Sequence, residues 1–218
     1  MVEKIKVALV GLGNCFSGLI QGIEYYRKNP SQQVIGIIHD KLRDYSIHDI
    51  DFVAGFDVGE NKVGKSVNEA IYELPNMVNW IPKDEMPKTD GKVYESPALD
   101  GVGIWVENKV KPIQSNKTES EIEEEIKKVI KETGVEIIVS YLPVGSEKAT
   151  QFWANICLET NTAFVNCMPA FIASDKEWAQ KFKDKNIPII GDDIKGQVGA
   201  TIVPVSYTHL TLPTNREV

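Results

Sequence analysis

Gly11-Leu-Gly13-Asn14-Cys15-Phe16 closes an apolar run and opens an amphipathic one, the placement that a dinucleotide site asks of a backbone. A first glycine allows the tight turn from strand to helix, and a second lets a pyrophosphate approach the main-chain amides at the helix N-terminus. Position 16, where the pattern prefers a small residue for helix-to-strand packing, is Phe16, and the motif alone is weakened by it. Such a site also needs a carboxylate at the end of the second strand, to accept from the ribose hydroxyls and to disfavour a 2'-phosphate. Asp40 lies nearer the usual spacing of about 20 residues. Asp57 ends the more regular strand, Phe52 to Asp57, and precedes a helix with Val63, Val67 and Ile71 on one face. Asp57 is favoured, which selects NAD over NADP, and Asp40 is assigned to an inserted stretch.

Ligands of open α/β sheets bind outside the carboxyl ends of the strands. Ser140-Tyr141-Leu-Pro-Val-Gly-Ser146 and Asn166-Cys-Met-Pro169 fall at such ends, so Ser140 and Tyr141 join the cofactor candidates beside Asn14 and Cys15. Each polar residue there serves equally well as a helix cap. Gly191-Asp-Asp-Ile-Lys195 follows the last strand; paired carboxylates and a lysine suit cofactor contact, proton transfer or an anionic intermediate, and suit a solvated turn no less. Cys157 and Cys167 read as small core residues. His39 and His48 form no metal spacing, and no metal site is expected.

The elements that must position these residues are legible in the periodicity. An apolar run over residues 4–10 reads as a buried parallel strand, and a helix is expected over 14–27 with Leu19, Ile20, Ile23 and Tyr26 on one face. Strands are expected at 34–39 and 52–57. Residues 73–117, rich in proline, glycine and polar residues, read as an insertion. Thr118-Glu-Ser-Glu121 is a capping box for a helix that stops at Gly134. After it, strands at 135–140, 163–166 and 188–190 alternate with helices at 146–159 and 174–185. This rhythm implies a doubly wound parallel sheet, an α/β fold of the Rossmann type.

Composition narrows the partners. The 218 residues carry 24 Lys and Arg against 31 Asp and Glu, a net charge of -7. No nucleic-acid groove or anionic membrane surface is expected of such a balance. The three cysteines suggest neither a disulfide framework nor a zinc cluster, and a reducing cytoplasm fits.

Val10-Gly-Leu-Gly-Asn-Cys15, Gln21-Gly-Ile-Glu-Tyr-Tyr26, Val53-Ala-Gly-Phe-Asp-Val58, Val139-Ser-Tyr-Leu-Pro-Val-Gly-Ser-Glu147, Phe171-Ile-Ala-Ser-Asp175 and Gly191-Asp-Asp-Ile-Lys-Gly-Gln-Val-Gly-Ala-Thr201 together closely resemble the bacterial and archaeal branch of the myo-inositol-1-phosphate (inositol-3-phosphate) synthases. The resemblance runs from Ile5 to about Val203 and implies an NAD-dependent isomerase acting on D-glucose 6-phosphate. In that family NAD oxidises the sugar, an intramolecular aldol step closes the ring, and the hydride returns. The family's Gly-Asp-Asp-x-Lys-Ser segment helps to hold NAD, which carries over to Asp193; Gly196 stands where the serine is common, and Lys195 matches the motif lysine as catalytic candidate.

The resemblance further implies that residues 1–203 form the NAD-binding domain and that a second catalytic and oligomerisation domain is missing; residues 204–218, which have no helical or strand periodicity and interrupt the motif before them, read as a non-native tail. On this reading residues 1–203 alone do not convert glucose 6-phosphate, and the full-length enzyme is a homo-oligomer. Another NAD-dependent oxidoreductase and a non-catalytic nucleotide-binding module are the alternatives.

Overall fold

A computed structural model describes residues 3–30, 39, 41–102 and 108–192. In chain order these form β1 (Ile5–Val10), α1 (Asn14–Lys28), β2 (Lys41–Leu42), β3 (Tyr45–Ser46), β4 (Ile50–Asp57), α2 (Val67–Ala70), β5 (Lys92–Glu95), α3 (Glu119–Thr133), β6 (Ile137–Ser140), α4 (Glu147–Thr160), β7 (Ala163–Asn166), α5 (Lys176–Asp184) and β8 (Ile189–Ile190). Six strands pair in parallel in the order β5-β4-β1-β6-β7-β8, and β2 and β3 form a separate antiparallel pair. The chain steps outward from β1 to β4 and β5, then returns to the other side of β1 for β6, β7 and β8. Connections after β1 and β6 therefore leave in opposite directions, and a crevice opens at the carboxyl ends of these neighbours.

Strand alternation divides the core between two faces. Val7 and Leu9 of β1 pack with Phe16, Ile20 and Ile23 of α1 and with Val67 and Ala70 of α2. Ala8 and Val10 pack on the opposite face with Ile126 and Ile130 of α3, Trp153 and Ile156 of α4, and Phe182 of α5. A strand buried on both faces has to be apolar at consecutive positions, which is why residues 7–10 form a continuous run. The register of β1 against β4 shifts between Val7 and Ala8. Phe52 consequently joins the α1 face, whereas Ala54 and Phe56 join the α3 face.

Local signals set the helix ends. Thr118 Oγ1 accepts from the Glu121 N–H at 3.3 Å while the Glu121 carboxylate accepts from the Thr118 N–H at 2.7 Å, and Gly134 ends α3 in the left-handed region at φ 68°. Two expectations are corrected. The helix expected to carry Val63, Val67 and Ile71 is a single turn, Val67–Ala70. The stretch 73–117 is not wholly outside the core: β5 lies within it, pairs with β4 and buries Val93. The strand expected at 34–39 and the competing carboxylate Asp40 lie outside the described residues apart from His39, which is in no strand. Among the described residues no helix is long and apolar enough to cross a membrane.

Candidate functional site

The glycine turn has the geometry its sequence implies. Gly11 takes φ 79°, donates its N–H to the Phe56 carbonyl at 2.9 Å, and receives the Gly13 N–H at 2.8 Å. A Cβ at Gly11 would stand 2.9 Å from the Tyr141 carbonyl oxygen, so both backbone conformation and space require glycine. At Gly13 a Cβ would meet nothing within 4 Å. The face that Gly13 leaves bare is open, as close approach by a ligand requires. Gly13 is also the N-cap of α1, no side chain caps the helix there, and its first turn holds no acidic residue. A helix N-terminus without a protein anion fits a pyrophosphate.

Phe16, the departure from the motif, is fully buried and meets the Tyr141 ring edge-on with centroids 4.7 Å apart. The large ring fills the space between α1 and the end of β6, so the turn tolerates it.

Asp57 lies at the end of β4 and is 7% exposed. Its Oδ2 accepts from the Leu12 N–H at 2.9 Å and its Oδ1 from the Gly59 N–H at 2.8 Å. Two groups unmarked in the sequence complete the arrangement. Lys62 Nζ stands 3.6 Å from Asp57 Oδ2 and donates to the Leu12 carbonyl at 2.8 Å. Asn76 Nδ2 donates to the same carbonyl at 2.8 Å and to that of Ile71 at 2.9 Å. Both polar groups of Leu12 in the glycine turn are thus held by side chains 45 to 64 residues away.

The segment carrying Asn76 is itself fastened to α1. Buried Gln21 accepts from the N–H groups of Trp80 and Ile81 and donates to the Val78 carbonyl. Asn14 Oδ1 accepts from the Met77 N–H at 2.7 Å.

A cleft of about 210 Å³ opens at the carboxyl ends of β1, β4 and β6, and Gly11, Gly13, Asn14, Asp57 and Tyr141 line it with Lys62 and Asn76. The structure brings these expected residues together and leaves two others apart. Cys15 is exposed on α1 and is not in the wall. Ser140 is fully buried, also outside the wall, with an Oγ that has no hydrogen-bond partner among the described residues. Asp193, Lys195 and Gly196 lie outside the described residues.

The neighbouring Asp192 is an anchor: its carboxylate accepts from Asn166 Nδ2 at 2.7 Å and from the N–H groups of Ile172, Ala173 and Ser174 at 3.0–3.1 Å. It ties the end of β8 to the connection between β7 and α5. Asp100 similarly accepts from the N–H groups of Lys148 and Ala149 at the start of α4. In the sequence Asp192 shows only as one of the paired carboxylates at 192 and 193. Burial raises the Cys157 thiol well above its ordinary range, in keeping with a small core residue. Among the described residues no three His, Cys, Asp or Glu side chains are placed to hold a metal ion.

No family model matches the chain. It is 45% identical over 200 residues to the inositol-3-phosphate synthase of Mycolicibacterium smegmatis, covering 91% of this chain and 53% of that protein. To the inositol-3-phosphate synthase of Corynebacterium glutamicum it is 44% identical over 204 residues, again covering 91% and 53%. Among solved structures, the crystal structure of Ari2 superposes with a TM-score of 0.76 at 29% identity, covering 95% of this chain and 60% of that one. The chain spans about half the length of the relatives it matches.

Proposed function

We propose that this chain is the dinucleotide-binding part of an inositol-3-phosphate synthase, an isomerase that converts D-glucose 6-phosphate to 1D-myo-inositol 3-phosphate with NAD as internal oxidant and reductant. The observation that carries the reading is the cleft of glycine turn, uncapped α1 and Asp57, in a chain 45% identical across 91% of its length to a relative bearing that name. NAD, when bound, supplies the hydride acceptor and later the donor. Gly13 and the first turn of α1 hold the pyrophosphate, and Asp57 receives the ribose hydroxyls. Tyr141, Leu142 and Pro143 form the apolar wall that keeps water from the cofactor. Asp192, by fixing the end of β8, sets the starting point of the segment in which Asp193 and Gly196 contact the cofactor and Lys195 stabilises oxyanions of the substrate. Oligomer formation and a cytoplasmic location accompany the same reading.

A chimera tests it. Residues 3–192 replace the matching stretch of the M. smegmatis relative, and the product is incubated with NAD and glucose 6-phosphate. Inositol phosphate without net NADH is expected. Accumulation of NADH in step with product would point to a dehydrogenase instead, and a folded chimera that binds NAD without forming inositol phosphate would contradict the assignment.

A further inference from the structure

We infer that Lys62 sets the choice between the plain and the 2'-phosphorylated dinucleotide, so that discrimination at the ribose end belongs to the Asp57–Lys62 pair and not to Asp57 alone. The inference rests on the dinucleotide reading of the cleft. In a sheet of this type the carboxylate at the end of the second strand repels a 2'-phosphate, and that repulsion presumes a charge left uncompensated. Here Lys62 Nζ is 3.6 Å from Asp57 Oδ2, with both side chains less than a tenth exposed.

Neither group is free to turn away. The carboxylate is fixed by the amides of Leu12 and Gly59, and the ammonium by the Leu12 carbonyl. Both residues line the cleft. A phosphate brought to Asp57 therefore meets an ammonium within a few ångströms, where burial leaves charges weakly screened. The pair is close to neutral, and its barrier against a 2'-phosphate is lower than a lone carboxylate raises. Removing the ammonium strips away an attraction and bares the repulsion, so both consequences have the same sign.

Calorimetric titration of the 218-residue chain with NAD and with NADP gives the ratio of the two dissociation constants. The wild-type ratio of NADP to NAD is expected below about a hundred, Lys62→Gln raises it about tenfold, and the charge-retaining Lys62→Arg leaves it within about threefold. A lysine that merely props the Leu12 carbonyl would, on removal, weaken both dinucleotides equally. An unchanged ratio in a Lys62→Gln chain that still binds NAD overturns the inference alone. Should Lys62→Gln not fold, the wild-type ratio decides, and a value above about a hundred overturns it. If the wild-type chain binds neither dinucleotide, the dinucleotide reading falls and takes this inference with it.

Discussion

Gly11 and Gly13 ask opposite things of a substitution. Gly11→Ala places a methyl 2.9 Å from the Tyr141 carbonyl in a left-handed backbone, and a loss of about 2 kcal/mol or more in urea-unfolding stability is expected. Asp192→Ala removes the acceptor of three backbone N–H groups and one side-chain amide. It is expected to cost about 2–4 kcal/mol, checked by the same denaturation; a change below about 0.5 kcal/mol would mean that the carboxylate is no anchor. The turn at Gly11 and the bare face at Gly13 are legible in the sequence because both are written in consecutive residues. Lys62 and Asn76 were not, since their partner is Leu12, 50 and 64 positions away, and no local pattern distinguishes a buried lysine or asparagine from a solvated one. Asp192 is visible in the sequence only as one of a pair, and its ties to the loop before α5 appear only in the fold.

Elements with their own start and stop signals are legible in the sequence within a few residues. α3 was expected to run from its capping box to Gly134, and does so because Ile122, Ile126, Val129 and Ile130 repeat at helical spacing toward the sheet. β5 was missed. Lys92-Val-Tyr-Glu95 is four residues long, only Val93 is fully enclosed, and its strand character comes from β4 beside it. Val93→Ala is therefore expected to cost about 2 kcal/mol, as a core position does, whereas an inserted loop would lose less than about 0.5 kcal/mol.

The cap of α3 also carries a pH signature. Hydrogen bonds from the Thr118 backbone and then its hydroxyl hold the Glu121 carboxyl below its ordinary range. A carboxyl lowered in the fold contributes stability above its unfolded pKa and loses it as pH falls through the lowered value. Glu121→Ala is expected to reduce the urea midpoint near neutral pH and to converge on wild type in strong acid. A difference that persists undiminished at about pH 2 would contradict the cap.

At the scale of the whole molecule the alternating elements foretold a doubly wound sheet, and the strand order places the crevice between the connections that leave β1 and β6 in opposite directions. What the rhythm could not foretell is the set of long-range ties around the crevice: Gln21 to the loop at 78–81, Asn76 to the glycine turn, and Asp100 to the start of α4. These depend on which surfaces the fold brings together. The proposed function stands on NAD binding in this crevice, on the open face of Gly13. It is tested most directly by titrating NAD into the wild-type chain and into Gly13→Val, with urea denaturation of both without ligand. Since a Cβ at position 13 would meet nothing within 4 Å, the variant is expected to keep its stability within about 1 kcal/mol and to lose at least about a hundredfold in NAD affinity. A Gly13→Val chain that binds NAD as wild type does, or a folded wild-type chain that binds none, would overturn that function.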